Sequence, residues 1–137
     1  MTSQEFASGF FLQAEKIFRE MLRHYEAEDW HLVVRRAQET TELILKGFLR
    51  RAGLEIPKLH DVGNLLNTEK DRLPKSLSRE LPRVISLSRW LHEERAASFY
   101  GDEEQELPPS ALYTKIDADR ARQEVEWLMT FVPQSKK

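Results

Sequence analysis

The sequence predicts an all-α fold, an antiparallel up-and-down bundle of four long helices plus one short helix. Apolar residues recur at intervals of three or four over most of the chain, whereas no segment shows the alternation of a half-buried strand. The five glycines and six prolines fall mostly between these periodic stretches, where they mark loops. A chain of 137 residues has the length of one domain, so we expect residues 1–137 to form a single helical unit.

The first two helices are expected at residues 2–27 and in the segment between Asp29 and Gly53. Thr2 and Glu5 have the spacing of a capping box, which starts a helix. Asp29 is a suitable N-cap, and Gly53 supplies the left-handed residue that commonly follows a helix end. The side chains expected to face the core are Phe6, Phe10, Ala14, Ile17, Met21 and Tyr25 in the first helix and Trp30, Val33, Ala37, Ile44 and Phe48 in the second.

A short third helix is expected at residues 60–71, with His60 and Asp61 as its cap. The fourth helix should run from about residue 75 to residue 98, with Pro82 in its first turns, where proline is tolerated. Its expected inward side chains are Leu77, Leu81, Val84, Ile85, Ser88 and Leu91.

The last helix is expected after a loop at residues 101–113. Thr114 and Asp117 repeat the capping-box pattern, and Pro133 closes the helix. Short connections between amphipathic helices are typical of an up-and-down bundle. The apolar side chains of the last helix are Ala118, Ala121, Val125, Leu128 and Val132.

The composition excludes several classes of protein. The chain has no cysteine, which rules out disulfides, thiolate metal sites and a cysteine nucleophile. A net charge of −2 argues against a protein that coats nucleic acid non-specifically, so any contact with nucleic acid must be local. The four histidines show no metal-ligand spacing, and we expect neither a metal nor a cofactor. No run approaches the ~20 apolar residues of a membrane span and the first residues do not resemble a signal peptide, so we expect a cytoplasmic protein without membrane contact.

Arg95 is the charged residue that the helical pattern makes most unusual. In a continuous fourth helix it would lie within about 40° of Val84 and Leu91 and point along the apolar face. Because an unpaired buried charge is costly, the guanidinium must pair with a carboxylate, reach solvent or face a cleft. One interpretation is a structural ion pair with Glu42. The other is a guanidinium aimed at phosphate, whose oxygens match its planar donors.

Gln38, Glu42 and Lys46 form a polar line along the second helix, most of which should be buried. Glu42 and Lys46 are spaced i, i+4 in the orientation that stabilises a helix by about 0.2–0.5 kcal/mol. These residues either form a structural pair or help to line a cleft around Arg95.

Two segments carry a resemblance to a known family. The first is WHLVVRRAQETTELILKGFLRRAGLEIPKLHDVGNLL, with a glutamate four residues before a lysine, a helix ended by glycine and a His-Asp pair that opens the next helix. The second is ERAASFYGDE, followed by a loop and a helix that begins YTKIDA. Together they resemble HEPN domains (higher eukaryotes and prokaryotes nucleotide-binding), over about residues 10–132.

The resemblance implies an RNA-related activity. Many HEPN domains are metal-independent ribonucleases, and many are encoded as toxins beside a small nucleotidyltransferase partner. Similar proteins dimerise so that two signature arginines line one cleft, and each signature arginine is followed, after four to six residues, by a histidine. Cleavage by the 2′-hydroxyl of the RNA needs a base, an acid and a cation at the phosphate, but no metal.

This sequence matches the arginine of the signature but not the histidine. The fifth residue after Arg95 is Tyr100, and tyrosine, with an ordinary pKa of about 10, is a poor base at neutral pH. His92, one turn before Arg95, is the candidate replacement for the imidazole. Asp102, which opens an acidic stretch, could order the loop beside Arg95 or bind a cation of a partner. The candidate catalytic residues are therefore Arg95, Tyr100 and His92, and the candidate binding residues are Gln38, Glu42, Lys46 and Asp102.

These observations support three hypotheses. The first is a homodimeric HEPN-type module that binds a nucleotide, RNA or a nucleotidyltransferase partner through a cleft around Arg95, without strong catalysis. The second is a metal-independent ribonuclease toxin of a toxin–antitoxin pair. The third is a purely structural helical interaction protein, in which Arg95 forms an ion pair at a dimer interface.

Overall fold

A computed structural model describes residues 2–55 and 62–133. Within these ranges the protein is helical and contains no strand; one isolated antiparallel bridge joins Asp102 to Leu107. This confirms the all-α prediction, with four longer helices (α1, α2, α5 and α8) and a shorter α3. The helices are α1 (Ser3–Glu26), α2 (Trp30–Arg51), α3 (Val62–Thr68), α4 (Lys75–Ser78), α5 (Leu81–Glu93), α6 (Ala97–Tyr100), α7 (Pro109–Leu112) and α8 (Lys115–Met129), and Lys70–Arg72 form a 3-10 turn.

The helices α1 and α2 form an antiparallel hairpin. The Tyr25 and Trp30 rings lie 5.3 Å apart next to the connection, and the Phe11 and Phe48 rings lie 5.0 Å apart near the far end. A residue near the end of α1 thus contacts the start of α2, and a residue near the start of α1 contacts the end of α2, as in an antiparallel pair. Glu28, with φ of 61°, turns the chain between the two helices.

The second helix is the centre of the core. It contacts α1, α5, α6, α7 and α8, and residues on more than one of its faces are buried. Gly47 permits the closest approach to α1, because a Cβ atom there would lie 2.6 Å from the Phe11 ring. The fully buried apolar side chains of α2 are Val33, Val34, Ala37, Ile44, Leu45, Phe48 and Leu49.

The helices α5 and α8 lie antiparallel to each other, and an arginine of each contacts a side chain of the other. Arg83 of α5 pairs with Glu124 at 3.1 Å, and the Arg120 guanidinium of α8 lies 3.8 Å from the centroid of the Trp90 ring. The predicted apolar face of α8 is confirmed in full, since Ala118, Ala121, Val125, Leu128 and Val132 are all buried.

Both predicted capping boxes are present. In α1, the Glu5 N–H donates to the Thr2 hydroxyl at 3.1 Å, and in α8 the Thr114 N–H donates to the Asp117 carboxylate at 2.9 Å. Asp29 occupies the N-cap position of α2, but its side chain makes no capping hydrogen bond. His60 and Asp61, the predicted cap of the third helix, lie outside the described residues.

The predicted inner face of α1 is partly wrong. Phe6 is 43% exposed and packs beside Phe10, whereas Ala7 and Phe11 are buried. Apolar residues surround this end of α1, so periodicity alone did not fix its rotation; the contact between Phe11 and α2 does.

The predicted continuous helix over residues 75–98 is also wrong. Pro82 lies in the first turn of α5, has no N–H to donate and would clash with the carbonyl of Ser78 if α4 continued through it. The chain therefore breaks between α4 and α5. It breaks again after Glu93, before the short α6.

The close approach at Gly47 predicts opposite effects for two glycine substitutions. Gly47→Ala places a methyl group against the buried Phe11 ring, whereas nothing lies within 4 Å of a Cβ atom at Gly9, which is exposed on α1. Both changes gain helix propensity of about 0.5–1 kcal/mol, but overpacking costs about 1–3 kcal/mol at Gly47 only. Urea denaturation should therefore show Gly9→Ala to be more stable than Gly47→Ala by about 1–3 kcal/mol. Equal free energies of unfolding would contradict the close approach.

Candidate functional site

The end of α5 determines where Arg95 points. The helix ends at Glu93, and the Arg95 N–H donates to the carbonyl of His92, three residues back instead of four. The Ser98 hydroxyl donates to the Arg95 carbonyl at 3.2 Å. The Arg95 side chain is exposed. The prediction that it follows the apolar face is therefore wrong, because the helix on which that prediction rests does not continue.

A hydrogen bond to Glu94 ties this turn to the segment before α8. The Tyr113 hydroxyl donates to the Glu94 carboxylate at 2.6 Å. Burial, together with the hydrogen bond to Glu94 and its charge, raises the pKa of Tyr113, so the phenol keeps its proton and remains a donor. The loop from α6 to α8 thus holds the backbone directly before Arg95.

Arg95 opens onto a groove of about 600 Å³, which we call the Arg95 groove. Its volume lies within the range of small-molecule sites. The three predicted catalytic residues, Arg95, Tyr100 and His92, all lie along it. The lining residues are Arg35, His92, Glu93, Arg95, Ala96, Phe99 and Tyr100.

Arg35 brings a second guanidinium to the groove from α2. It lies 4.0 Å from the centroid of the Phe99 ring and 3.4 Å from the Glu39 carboxylate, which orient it. The sequence alone did not identify Arg35 as a site residue. Its one sequence signal is the adjacent pair Arg35 and Arg36, since the contact between α2 and α6 that brings Arg35 here joins residues far apart in the chain.

Two aromatic side chains of α6 are exposed beside the guanidinium groups. Phe99 is 51% exposed and Tyr100 is 66% exposed, and their rings meet edge to face with centroids 4.6 Å apart. Arg35 stacks on Phe99, so Tyr100 offers the more accessible ring. Contiguous exposed apolar surface is typical of binding sites.

In the described ranges no carboxylate oxygen lies within 4 Å of the Arg95 guanidinium nitrogens. The structural ion pair with Glu42, one of the two interpretations of Arg95, is therefore not formed. The Glu42 carboxylate instead accepts from Lys46 at 3.1 Å and from Gln38 at 3.0 Å. Burial raises the pKa of Glu42, but these hydrogen bonds and the charges of Lys46 and Arg95 outweigh it and leave the pKa below its ordinary value. Gln38, Glu42 and Lys46 are therefore joined to one another, and none of them lines the groove.

Asp102 orders the acidic loop rather than lining the groove. Its carboxylate accepts from the Gln105 N–H at 3.1 Å, and its backbone pairs with Leu107. Gly101 is required before it, because φ is +78° and a Cβ atom would lie 2.2 Å from the Leu107 carbonyl oxygen. The exposed carboxylates of this loop are Glu103, Glu104 and Glu106.

The described part of the chain contains no cluster of three or more histidine and carboxylate side chains arranged to hold a metal ion. None of its helices is both long enough and apolar enough to cross a bilayer.

The lowered pKa of Glu42 predicts a specific acid sensitivity. Because the folded state holds the proton less tightly than the unfolded state, the charge of Glu42 contributes stability above its ordinary pKa of 4.5. That contribution is lost as the pH falls through the lower pKa of the folded state. Urea midpoints measured from neutral pH downward should therefore fall more for the parent protein than for Glu42→Gln. Glu104→Gln, in the exposed loop, is the matched control and should follow the parent; parallel curves for Glu42→Gln and the parent would contradict the prediction.

The comparisons with known proteins place the chain in a family. No curated protein and no solved structure matches it significantly. The family model of the HEPN domain matches residues 7–136, nearly the whole chain. The protein therefore belongs to the HEPN domain family, whose functions are in general related to nucleotides or RNA.

Proposed function

We propose that this protein binds a nucleotide, either free or as part of an RNA, in the Arg95 groove. The observation that carries the proposal is the exposed Arg95 guanidinium, which faces an open groove without a carboxylate partner among the described residues. A cation in that position is available to an anionic ligand. Membership of the HEPN family agrees with a ligand of this kind.

The two guanidinium groups suit a phosphate. Arginine presents planar donors that match phosphate oxygens, and hydrogen bonds to charged groups contribute about 1.5–3 kcal/mol each. Phe99 and Glu39 already hold Arg35 in place, which reduces the entropy lost when it binds. Arg95 has no such partner within residues 2–55 and 62–133 and supplies the less constrained contact.

The accessible ring of Tyr100 suits a base. Stacking of a base on an aromatic side chain contributes about 1–3 kcal/mol and tolerates any base, since every base has a π face. Tyr100 lies in the same groove as both arginines, so one nucleotide can place its phosphate on the cations and its base on the ring.

The distribution of charge favours a local contact over extended binding. The whole chain has a net charge of −2, and the acidic loop follows directly after α6. Long-range attraction of a polyanion is therefore weak, and affinity must come from the groove itself.

Binding of ribonucleoside monophosphates tests the proposal. By isothermal titration calorimetry, Arg95→Ala should weaken binding about 10-fold or more, because the phosphate loses a charged hydrogen bond. Tyr100→Leu should also weaken it, whereas Tyr100→Phe retains the ring and should bind like the parent. Arg79→Ala is the matched control, since Arg79 is an exposed arginine outside the groove. The proposal fails if the parent binds none of the four nucleotides, or if Arg95→Ala and Arg79→Ala behave alike.

A metal-independent ribonuclease is the second candidate function. It is favoured by the presence of His92 and Tyr100 in the same groove as Arg95, since cleavage by the 2′-hydroxyl needs proton transfer as well as a cation at the phosphate. In that case the protein could act as the toxin of a toxin–antitoxin pair.

A cleavage assay in EDTA separates the two candidates. The binding proposal predicts that a fluorescent RNA stays intact with the parent protein. Cleavage that is lost in Arg95→Ala, and also in Tyr100→Phe although that variant still binds nucleotide, would establish a ribonuclease and assign proton transfer to the phenol. Loss in His92→Ala with retained binding would assign it to the imidazole.

A homodimer and a nucleotidyltransferase partner remain predictions of the family resemblance. HEPN domains often dimerise. A purely structural interaction protein remains the alternative if neither nucleotide binding nor cleavage is observed.

A further inference from the structure

A second cleft opens next to the Arg95 groove, between α3 and α5. We call it the α3–α5 cleft; its volume is about 360 Å³. Val62 and Gly63 of α3 form one side, and α5 forms the other with Ile85, Ser88 and Arg89. The wall is completed by His92 and Glu93, which also line the Arg95 groove.

The shared residues make the two clefts neighbours along one helix face. Ile85, Arg89 and His92 follow one another at intervals of four and three, so their side chains project from the same side of α5. With a rise of about 1.5 Å per residue, Arg89 lies only about 4.5 Å before His92 along the helix axis. The α3–α5 cleft thus ends where the Arg95 groove begins.

The α3–α5 cleft has its own cation. Arg89 is exposed and makes no ion pair within 4 Å of a carboxylate in the described part of the chain. Beside it, Ser88 offers a hydroxyl, and the half-buried Val62 and Ile85 offer apolar surface. This combination suits a nucleotide, because its phosphate needs a cation and its sugar or base can pack on apolar groups.

We propose that the α3–α5 cleft is a second binding subsite, which holds the neighbouring nucleotide of a single strand whose first nucleotide lies in the Arg95 groove. The proposal rests on the proposed function and extends it from one nucleotide to a short single strand. The strand passes His92 between the two subsites. Arg89 takes one phosphate, and Arg35 and Arg95 take the other.

Glu93 limits the path that the strand can take. Its carboxylate borders both clefts and repels phosphate. The phosphates of the bound strand should therefore lie against the arginines and away from Glu93. Glu93→Gln removes this repulsion and should increase the affinity for a strand.

The dependence of affinity on ligand length tests the second subsite. The three probes are uridine monophosphate, a uridine tetraribonucleotide and a deoxyuridine tetranucleotide. The affinity of the protein for each is measured by calorimetry, and the affinity for labelled tetranucleotides also by fluorescence anisotropy. The tetraribonucleotide should bind about tenfold more tightly than the monophosphate, through the added charged contact. An equal gain with the deoxyribonucleotide would support a subsite that holds the backbone, and a gain with RNA alone would support one that also reads the 2′-hydroxyl.

Arg89 variants decide whether the gain comes from this cleft. Arg89→Ala should remove the gain and leave monophosphate binding unchanged, and it should reduce the slope of log K against log salt concentration by about 0.7, the value for one phosphate contact on a single strand. Arg89→Glu should weaken tetranucleotide binding further. Arg79→Ala is again the control, and it should not change the affinity for either ligand. Because Arg89 is exposed and forms no ion pair with the residues that the structure describes, these variants should fold like the parent.

The outcomes distinguish failure of the second subsite from failure of the proposed function. If the monophosphate binds but the tetranucleotide binds no more tightly, or if Arg89→Ala keeps the gain, the second subsite is wrong and the Arg95 groove stands. If neither ligand binds the parent protein, both proposals are wrong.

Discussion

The termination of α5 at Glu93 is the constraint on which the whole site depends. If the helix continued, Arg95 would follow Val84 and Leu91 towards the core, where an unpaired charge is costly. The turn after Glu93 instead directs Arg95 to solvent and places α6 so that Phe99 meets Arg35 of α2. The hydrogen bond that the Tyr113 hydroxyl donates to the Glu94 carboxylate also holds this turn. The end of α5 and the packing of α6 thus bring the cations and the aromatic rings to one groove.

The electrostatics of the site are local. Arg95 is close enough to Glu42 to lower the pKa of that carboxyl, yet the carboxylate accepts its hydrogen bonds from Lys46 and Gln38. The Arg95 guanidinium is therefore not held by Glu42. The acidic loop has its own turn, formed by Gly101 and Asp102, and its carboxylates do not line the groove. The arrangement favours a ligand that is recognised by direct contact with guanidinium groups and an aromatic ring.

Local signals in the sequence were sufficient for the fold class, and insufficient for the site. The capping boxes at Thr2 and Thr114 and the apolar face of α8 depend on residues three or four apart, and all of them are confirmed. Periodicity failed where a break interrupts it, since the apolar pattern continues across Pro82 and past Glu93 although the helix does not. It also could not identify Arg35, because that residue reaches the groove only through the packing of α2 against α6. Arg95, Tyr100 and His92 were placed together by family resemblance and chain proximity, whereas the polar line of Gln38, Glu42 and Lys46 proved to be connected within α2 and separate from the groove.

Nuclear magnetic resonance of the arginine side chains can show whether a bound nucleotide contacts Arg95, because each Nε–H signal reports on one guanidinium. The signals of Arg35, Arg95 and Arg79 can be assigned from single substitutions by lysine. On titration with a ribonucleoside monophosphate, we expect the Arg95 and Arg35 signals to shift while the Arg79 signal stays in place. A nucleotide that binds the protein without moving the Arg95 signal would contradict this expectation.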